Sequence, residues 1–339
     1  MTIRTVAERA GVSHQTVANV LNGRKVSAER HAAVMQAIRE LDYKPNAVAR
    51  QLASSSTVTV GVVQGTRGHD FTSRLLAGAL GAVGRTGAQI LLEPAEAGAV
   101  GAAVERLLDR GANAILLSVY APEGLHEHPR LSGTPVVIMT PNSEARAFST
   151  VRIDEEAAAE EMTSELIGSG RRRIAFLDAP PEYAFSDARR RGYLRALEAH
   201  GAPVDASLVV PGSTAVEESV AIADALLALP SPPTAIFAWN DDLAACALIA
   251  AHRRGLDIPA DLAVAGFDDN DLATKVWPAL TTVHQPIDAM AALAVERLVE
   301  HVRGREVEWP QHVTVDHKII RRQSTATPAA PAAPHLRPQ

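Results

Sequence analysis

Two kinds of apolar pattern alternate along most of the chain. Short runs that are almost continuously apolar, typical of buried strands, occupy residues 58–63, 89–92, 114–118, 136–139, 174–178, 235–239 and 262–267. Longer amphipathic stretches, typical of helices, occupy residues 73–85, 100–110, 155–167, 187–200, 216–229 and 243–254. This alternation predicts doubly wound parallel sheets covered by helices on both faces. Because a second series begins near residue 173, we expect two similar α/β lobes with a ligand site between them.

The first 45 residues show helical periodicity alone. A first helix ends at Gly11, a second follows Ser13, and a third follows Ser27. This order predicts an all-α helix-turn-helix domain over residues 1–45, whose second helix enters the DNA major groove. The polar side chains opposite the apolar face of that helix are candidates for reading bases: His14, Gln15, Thr16 and Asn19. A three-helix bundle with a solvated polar face is the alternative that the pattern leaves open.

Residues 46–57 connect this head to the rest of the chain. Residues 46–53 have two turns of helical pattern capped by Asn46, and Ser54-Ser55-Ser56-Thr57 is typical of a linker. Two turns are too short to be stable alone in water. We therefore predict a hinge helix that folds only when something holds it.

Charge is divided unevenly between the head and the body. The 339-residue chain has a net charge of −6, yet residues 1–60 hold eight basic against four acidic side chains, and the remainder hold 25 against 35. A basic head on an acidic body indicates that only the head approaches a polyanion, with chance fluctuation as the alternative. With 47% hydrophobic and 21% charged residues, the chain has the composition of a globular protein of two or three domains.

Several other classes of site are not indicated. Cys246 is the only cysteine, which excludes an internal disulfide and a cysteine-based metal site. His126-Glu127-His128 lies in a loop without further ligands at useful spacing, so no metal site is predicted. No histidine is paired with a nucleophile, so we expect no enzyme and no cofactor. No secretory signal and no run long enough to span a bilayer are found, which predicts a cytoplasmic protein without membrane contact.

Several segments of the head and hinge match one known pattern. They are Thr2-Ile3-Arg4, Val6-Ala7, Ala10-Gly11-Val12-Ser13, Gln15-Thr16-Val17, Val20-Leu21-Asn22, Tyr43-Lys44-Pro45-Asn46 and Ala49-Arg50-Gln51-Leu52. Together they resemble the LacI/GalR family of transcriptional repressors. The resemblance implies a homodimer or a dimer of dimers that binds pseudo-palindromic double-stranded operator DNA.

The resemblance also assigns DNA contacts beyond the second helix. It places them on Thr5, Ser13, Asn22, Asn46 and Arg50, and it implies that Leu52 of each hinge helix wedges into the minor groove. One departure concerns base preference, because the family usually has Thr-Val-Ser-Arg where this chain has Thr16-Val17-Ala18-Asn19. An Arg there would favour guanine, whereas Asn19 favours adenine.

The body resembles the effector domain of the same family, whose two lobes are like those of periplasmic binding proteins. The matching segments include Asn240-Asp241-Asp242-Leu243-Ala244, Gly266-Phe267-Asp268-Asp269 and Pro278-Ala279-Leu280-Thr281-Thr282-Val283. By position, the resemblance implies an effector site formed by Phe71, Asp154, Arg189, Asn240 and Asp268. Arg, carboxylate and amide groups suit a sugar or nucleoside-like effector. An Asp or Asn after a strand is also a common helix cap, and this alternative stays open.

The predicted organisation has four parts. The head (1–45) and the hinge and linker (46–57) precede an effector-binding and dimerisation body over residues 58–320, and residues 324–339, rich in Pro and Ala, form a disordered tail. Within the body we expect an N-lobe at about 58–155 and 287–314 and a C-lobe at about 156–286. We predict that the protein is a transcriptional regulator, a repressor whose affinity for its operator is controlled by a small-molecule effector. A solute-binding protein without a DNA role and an α/β enzyme using the cleft are the alternatives.

Overall fold

The structure of the chain is a computed structural model that describes residues 3–21, 26–41, 57–65, 69–140, 146–181, 187–305 and 308–326. It divides into two compact units, Met1–Thr57 and Val58–Gln339. The hinge helix predicted over residues 46–53 lies outside the described residues.

The described part of the head contains three helices. They are α1 (Ile3–Ala10), α2 (His14–Leu21) and α3 (Ala28–Glu40). Their apolar faces meet in a small core whose fully buried members are Val6, Val17 and Val34. Gly11 makes the turn after α1 with a φ of +64°, and the Val12 N–H donates to the Ala7 carbonyl at 3.1 Å, which closes the helix end. The predicted helix-turn-helix order is confirmed.

The N-lobe is built on a six-stranded sheet in which neighbouring strands are parallel. In spatial order the strands are β11 (His312–Thr314), β5 (Ser149–Arg152), β4 (Val136–Ile138), β3 (Ala114–Leu117), β1 (Thr59–Gln64) and β2 (Gln89–Pro94). Three helices cover the two faces: α4 (His69–Thr86), α5 (Val100–Asp109) and α11 (Ile287–Val302). Because both faces are covered, the residues of β3 and β4 are buried throughout.

The C-lobe repeats this plan with one antiparallel strand. In spatial order its strands are β12 (Lys318–Ile320), β10 (Thr281–His284), β9 (Ala263–Asp268), β8 (Ala235–Ala238), β6 (Ile174–Asp178) and β7 (Val209–Pro211), of which β12 runs antiparallel to β10. Its helices are α6 (Glu155–Gly168), α7 (Ala188–Ala199), α8 (Val216–Leu227), α9 (Asp241–Arg253) and α10 (Leu272–Lys275). Short 3₁₀ turns lie at Ala206–Leu208 in this lobe and at Ala97–Ala99, Leu125–Glu127 and Pro129–Leu131 in the N-lobe. The predicted two-lobed parallel α/β architecture is confirmed.

Glycine allows two helix pairs to pack unusually closely. A Cβ atom on Gly78 of α4 would lie 2.0 Å from the backbone oxygen of Asp288 in α11. A Cβ atom on Gly192 of α7 would lie 2.1 Å from the backbone oxygen of Glu156 in α6. Any side chain at either position would therefore push its helix pair apart.

The chain passes between the lobes three times. The crossings follow β5, β10 and β11, at residues 153–154, 285–286 and 315–317. Strand β5 pairs with β11 at the edge of one sheet, and β10 pairs with β12 at the edge of the other. The three crossing segments therefore lie side by side.

The sequence pattern misses several elements of the body. Strands β5, β10, β11 and β12 have only three or four residues each and mixed polarity, so no apolar run marks them. Strand β7 is apolar but only three residues long. Helix α11 was not predicted, and the helix predicted to begin at residue 73 begins at His69. Apart from the start of α4, these misses lie at sheet edges and at the crossings.

The predicted tail requires a correction at its start. Ser324 is fully buried rather than disordered. Its hydroxyl donates to the Val264 carbonyl at 2.6 Å and accepts from the Thr281 N–H at 2.8 Å. Its own N–H donates to the Ala279 carbonyl at 3.0 Å. The C-lobe therefore extends beyond residue 320 to include Ser324.

Candidate DNA-binding and effector-binding sites

The start of α2 exposes the polar side chains predicted to read bases. Ser13, His14 and Gln15 are exposed and Thr16 is half-buried, whereas Val17 on the opposite side of the helix is fully buried in the head's core. The Ser13 hydroxyl accepts from the Thr16 N–H at 3.2 Å, which fixes the start of the helix. The described part of α2 thus presents a polar face away from the core.

The remaining predicted DNA contacts are only partly described. Thr5 is half-buried on α1. The side chain of Asn19 and all of Asn22, Asn46, Arg50 and Leu52 lie outside the described residues. DNA contact by each of these residues stays a prediction.

Arg189 is the central charged residue between the two lobes. It lies in the first turn of α7, and only 7% of its side chain is exposed. Its guanidinium donates to Glu155 Oε1 at 3.0 Å and to the Trp239 carbonyl, and it lies 3.6 Å from Asp268 Oδ1. Its central carbon is 3.7 Å from the centroid of the Phe267 ring. Burial opposes the charge, but the two carboxylates outweigh it and raise the pKa of Arg189, so the guanidinium stays charged.

Asp268 ends strand β9 in an unusual environment. Burial raises the pKa of Asp268 to about 6, against the opposing effects of Arg189 and of a 2.6 Å hydrogen bond from Gln285 Nε2. The backbone φ angles of Asp268 and Asp269 are +105° and +52°, in the region that favours glycine. Non-glycine residues persist there only when their surroundings hold them, and such residues cluster at ligand sites.

The side chains around this turn hold it in place. Asp269 Oδ2 lies 2.9 Å from His284 Nδ1, and its Oδ1 accepts from Arg322 Nη2 at 2.7 Å. Asp241 is fully buried and accepts from the Asn270 N–H at 2.8 Å. Burial, followed by the charge of nearby Asp268, raises the pKa of Asp241 well above its ordinary value. The turn after β9 is therefore a rigid polar structure rather than a loose loop.

Asn240 and Asp154, two further predicted effector residues, cap helices. Asn240 Oδ1 accepts from the Leu243 N–H at 2.9 Å at the start of α9. Asp154 Oδ1 accepts from the Ala157 N–H at 3.0 Å at the start of α6. Each residue therefore uses a side-chain oxygen to cap a helix, as the capping alternative expects. Contact between either residue and an effector stays a prediction.

Phe71, in the first turn of α4, is half-buried and packs against the main hydrophobic core of the body. Of the five predicted effector residues, the structure brings Arg189 and Asp268 together directly. Asn240 lies nearby, because it follows Trp239, whose carbonyl accepts a hydrogen bond from Arg189. Contact between Phe71 and an effector remains a prediction.

The space between the lobes is small in this structure. A cavity of about 50 Å³ lies there, and its lining includes Tyr120, Thr140, Glu155 and Gln285. Pockets for small ligands commonly measure roughly 300–1,000 Å³. Binding a ligand here therefore requires the lobes to open or the ion pairs of Arg189 to be exchanged for ligand contacts.

Four buried polar atoms near this cleft have no hydrogen-bond partner within the part of the chain that is described. They are Gln64 Oε1 at the end of β1, Asp70 Oδ2 in the first turn of α4, Thr140 Oγ1 after β4, and Arg189 Nε. Burial, followed by the charge of nearby Asp70, raises the pKa of Asp242 at the start of α9 in the C-lobe. Buried polar atoms are nearly always paired. These atoms are therefore the ones available to hydroxyl or amino groups of a bound molecule.

Sequence reasoning missed three residues of this site. Glu155 directly follows the first crossing between the lobes, Gln285 lies in the second, and Trp239 ends an apolar run. Gln285 follows the end of β10 as Asp268 ends β9, so the rule about strand ends would have found Gln285 if β10 had been predicted. Glu155 carried a weaker signal, its place next to the predicted Asp154.

The described residues contain neither a candidate metal site nor a candidate membrane span. No three histidine, cysteine, aspartate or glutamate side chains in them are grouped so that they could hold a metal ion. None of the helices described there combines the length and apolar character needed to cross a membrane.

Comparisons with known proteins agree with this architecture. Residues 2–46 match the bacterial regulatory proteins of the lacI family, and residues 163–325 match the periplasmic binding protein-like domain. Catabolite control protein A of Priestia megaterium is 33% identical over 330 residues, which cover 96% of this chain and 99% of that protein. The HTH-type transcriptional regulator AscG of Escherichia coli (strain K12) is 32% identical over 335 residues, covering 97% and 99%.

Solved structures extend the likeness to nearly the whole chain. The Lac repressor dimer bound to operator and the anti-inducer ONPF superposes with a TM-score of 0.84 at 25% identity, covering 96% of this chain and 99% of that one. A complex of the transcriptional regulator CelR with cellobiose has a TM-score of 0.71 at 29% identity, covering 96% and 99%. From its head, its two lobes and its relatives, the chain belongs to the LacI family of bacterial transcriptional regulators.

Proposed function

We propose that this protein represses transcription in the cytoplasm by binding a pseudo-palindromic operator as a homodimer or a dimer of dimers, and that a small ligand between its lobes controls this binding. The observation that carries the proposal is the joining of a helix-turn-helix head to a two-lobed body whose cleft holds Arg189 and Asp268 together. A solute-binding protein needs no such head, and a helix-turn-helix protein without an effector needs no such cleft.

DNA recognition is assigned to the polar start of α2. His14 and Gln15 are exposed there, and Asn19 lies one turn further along the helix. Phosphate contacts from the basic side chains of the head fix its orientation, whereas base contacts specify sequence. Asn19 pairs well with the donor and acceptor edge of adenine, so we expect an adenine where relatives with Arg favour guanine.

The effector is assigned to the polyhydroxylated class, a sugar or nucleoside-like molecule. Arg189 Nε is a donor, whereas Gln64 Oε1 and Asp70 Oδ2 are acceptors, so together they suit hydroxyl groups, which both donate and accept. Solved structures of two relatives name a bound ligand, ONPG for the Lac repressor and the sugar cellobiose for CelR. The chemistry of the cleft and these relatives support the same class.

The proposed switch links lobe position to the hinge. A ligand between the lobes changes their relative position, and this changes the separation of the two hinge helices in a dimer. When the two hinge helices cannot contact each other, nothing stabilises the helical form of residues 46–53. The Leu52 wedge is then lost from the minor groove. A coupling free energy of about 1–3 kcal/mol would change operator occupancy roughly 5- to 150-fold.

Selection from random duplex DNA tests the DNA half of the proposal. Full-length protein is used at about physiological salt, where counterion release suppresses non-specific binding. We expect the wild type to select an inverted repeat. Gln36→Ala, a control at an exposed position of α3, should select the same repeat. Gln15→Ala should show a relaxed preference at one base pair per half-site. Failure to retain DNA, with or without ligand, would favour the solute-binding alternative.

A ligand screen tests the effector half separately. Thermal unfolding is followed with a panel of monosaccharides, disaccharides and nucleosides, because a ligand that binds only the folded state raises the unfolding midpoint. A compound that raises the midpoint should also change affinity for the selected operator. A compound that is chemically converted by the protein would instead support the enzyme alternative.

A further inference from the structure

One cation links the two lobes without belonging to an ion pair that the structure displays. Arg74 lies in α4 of the N-lobe and is partly buried. Its Nη1 donates to the backbone carbonyls of Asp268 at 3.0 Å and Asp269 at 3.2 Å, both in the C-lobe. Its Nη2 donates to the carbonyl of Gln285 at 2.7 Å, at the second crossing. A single guanidinium therefore holds three carbonyls from two separate segments.

The helix that carries Arg74, α4, packs tightly against α11. Gly78 lies one helical turn further along α4 and so on the same face. At Gly78 the backbone of α4 approaches Asp288 of α11 so closely that no side chain would fit. Helix α11 begins directly after the crossing that contains Gln285. The bond from Arg74 to Gln285 therefore stays within one closely packed unit, whereas its bonds to Asp268 and Asp269 reach across to the other lobe.

The carbonyls that Arg74 holds belong to the strained turn of the cleft. Asp268 and Asp269 both have positive φ, and their side chains are held by Gln285 and by His284. A side-chain change at Asp268 is thus transmitted to a backbone that has little freedom to absorb it. The residue that fastens this backbone to the N-lobe is Arg74.

We propose that Arg74 is a latch that sets the equilibrium between open and closed lobes and couples it to whatever binds Asp268. This rests on the proposed effector role of the cleft, since a latch there regulates that site. Arg suits the position because its planar fork donates several hydrogen bonds at once, whereas lysine has one compact charged group. Arg74 acts on the effector through the turn, so it is a positioning residue.

Distances between the lobes of the ligand-free protein test the latch. Spin labels are placed on cysteines introduced at exposed Ala102 of α5 and exposed Ala225 of α8, and double electron–electron resonance gives their distance distribution. Cys246 is buried, and burial raises the pKa of its thiol to about 11, so it stays unlabelled at neutral pH. This measurement needs neither a known ligand nor DNA.

Three variants are compared on this labelled background. Arg74→Met keeps the length of the side chain and removes every donor, and we expect the open-to-closed ratio to rise about tenfold. Arg74→Lys should give a smaller shift in the same direction. Arg85→Met is the matched control, because Arg85 is an exposed residue of the same helix that pairs with Glu296, and it should leave the distribution unchanged.

The outcomes separate a latch from a residue that only adds stability. A lower unfolding midpoint with the wild-type distance distribution would overturn the latch. If Arg74→Met does not fold, an unchanged distribution in Arg74→Lys overturns it equally. A shifted distribution in a protein that selects no operator would refute the proposed function and leave the latch standing.

Discussion

Replacing Asp268 by asparagine should stabilise the body at neutral pH. In the unfolded chain an aspartate loses its proton near its ordinary pKa of about 4, whereas burial raises the pKa of Asp268 in the folded protein to about 6. The folded wild type therefore loses stability as pH rises between these two values and keeps the lower stability above them. Asparagine has the shape of the protonated aspartate and does not ionise, so Asp268→Asn avoids this loss.

The size of the effect follows from the displacement of the pKa. One pKa unit corresponds to about 1.4 kcal/mol, so a rise of about two units makes the ionised carboxylate cost the folded body roughly 3 kcal/mol. In the variant Arg189 keeps only Glu155 as a carboxylate partner. This loss offsets part of the gain, so we expect Asp268→Asn to gain about 1–3 kcal/mol at about pH 7.5. The gain should shrink to well under about 1 kcal/mol at about pH 4, where Asp268 is protonated in the folded wild type and the unfolded chain is only about half ionised at this position.

Chemical unfolding followed by circular dichroism from about pH 4 to pH 8 measures this difference. Asp271→Asn is the matched control, because Asp271 follows the same turn but is exposed, and its hydrogen bond to Lys275 lowers its pKa. The control should not gain stability at neutral pH. A gain for Asp268→Asn that does not vary with pH, or a loss at about pH 7.5, would refute the reasoning. A ligand found by screening should bind Asp268→Asn more weakly if Asp268 contacts it.

Three further predictions concern the hinge, the head and the C-terminus. Leu52→Ala should weaken operator binding about tenfold or more in a filter or fluorescence titration, because the minor-groove wedge is lost, and leave ligand affinity unchanged; an equal loss of both would contradict the wedge. Asn19→Arg should shift one half-site position of the selected operator from adenine towards guanine, and an unaltered selection profile would show that this side chain does not read bases. Ser324→Ala should cost about 1–3 kcal/mol in chemical unfolding, because two buried backbone groups lose their partner, whereas truncation after residue 326 should cost nothing measurable.

Much of the architecture followed from apolar periodicity. Strands β3, β6 and β8 are buried on both faces, so their sequences had to be apolar throughout and could be recognised. Edge strands such as β11 and β12 pair on one side only and tolerate polar residues, so the same signal is absent from them. The Pro and Ala content after residue 326 also obscured Ser324, whose burial depends on carbonyl and amide groups far away in the sequence.

The sequence also predicted some residues of the candidate site and missed others. Arg189 and Asp268 were found because the resemblance assigned them and because Asp268 ends a strand, and the structure brings them within 3.6 Å of each other. Arg74 was missed because its partners are backbone carbonyls about 200 positions away, and main-chain groups leave no trace in a pattern of side chains. Residues that act through the backbone are hidden from sequence for this reason.

The three side-by-side crossings limit how the body can move. Two bodies joined by one strand can swing, twist and slide relative to each other, and each freedom carries entropy that a ligand has to remove on binding. Three adjacent covalent segments leave one soft motion, rotation about the line that passes through them, because twisting or sliding would stretch at least one segment. The axis of the response is therefore built into the connectivity of the chain, and the ligand determines in which sense and how far the lobes rotate about it.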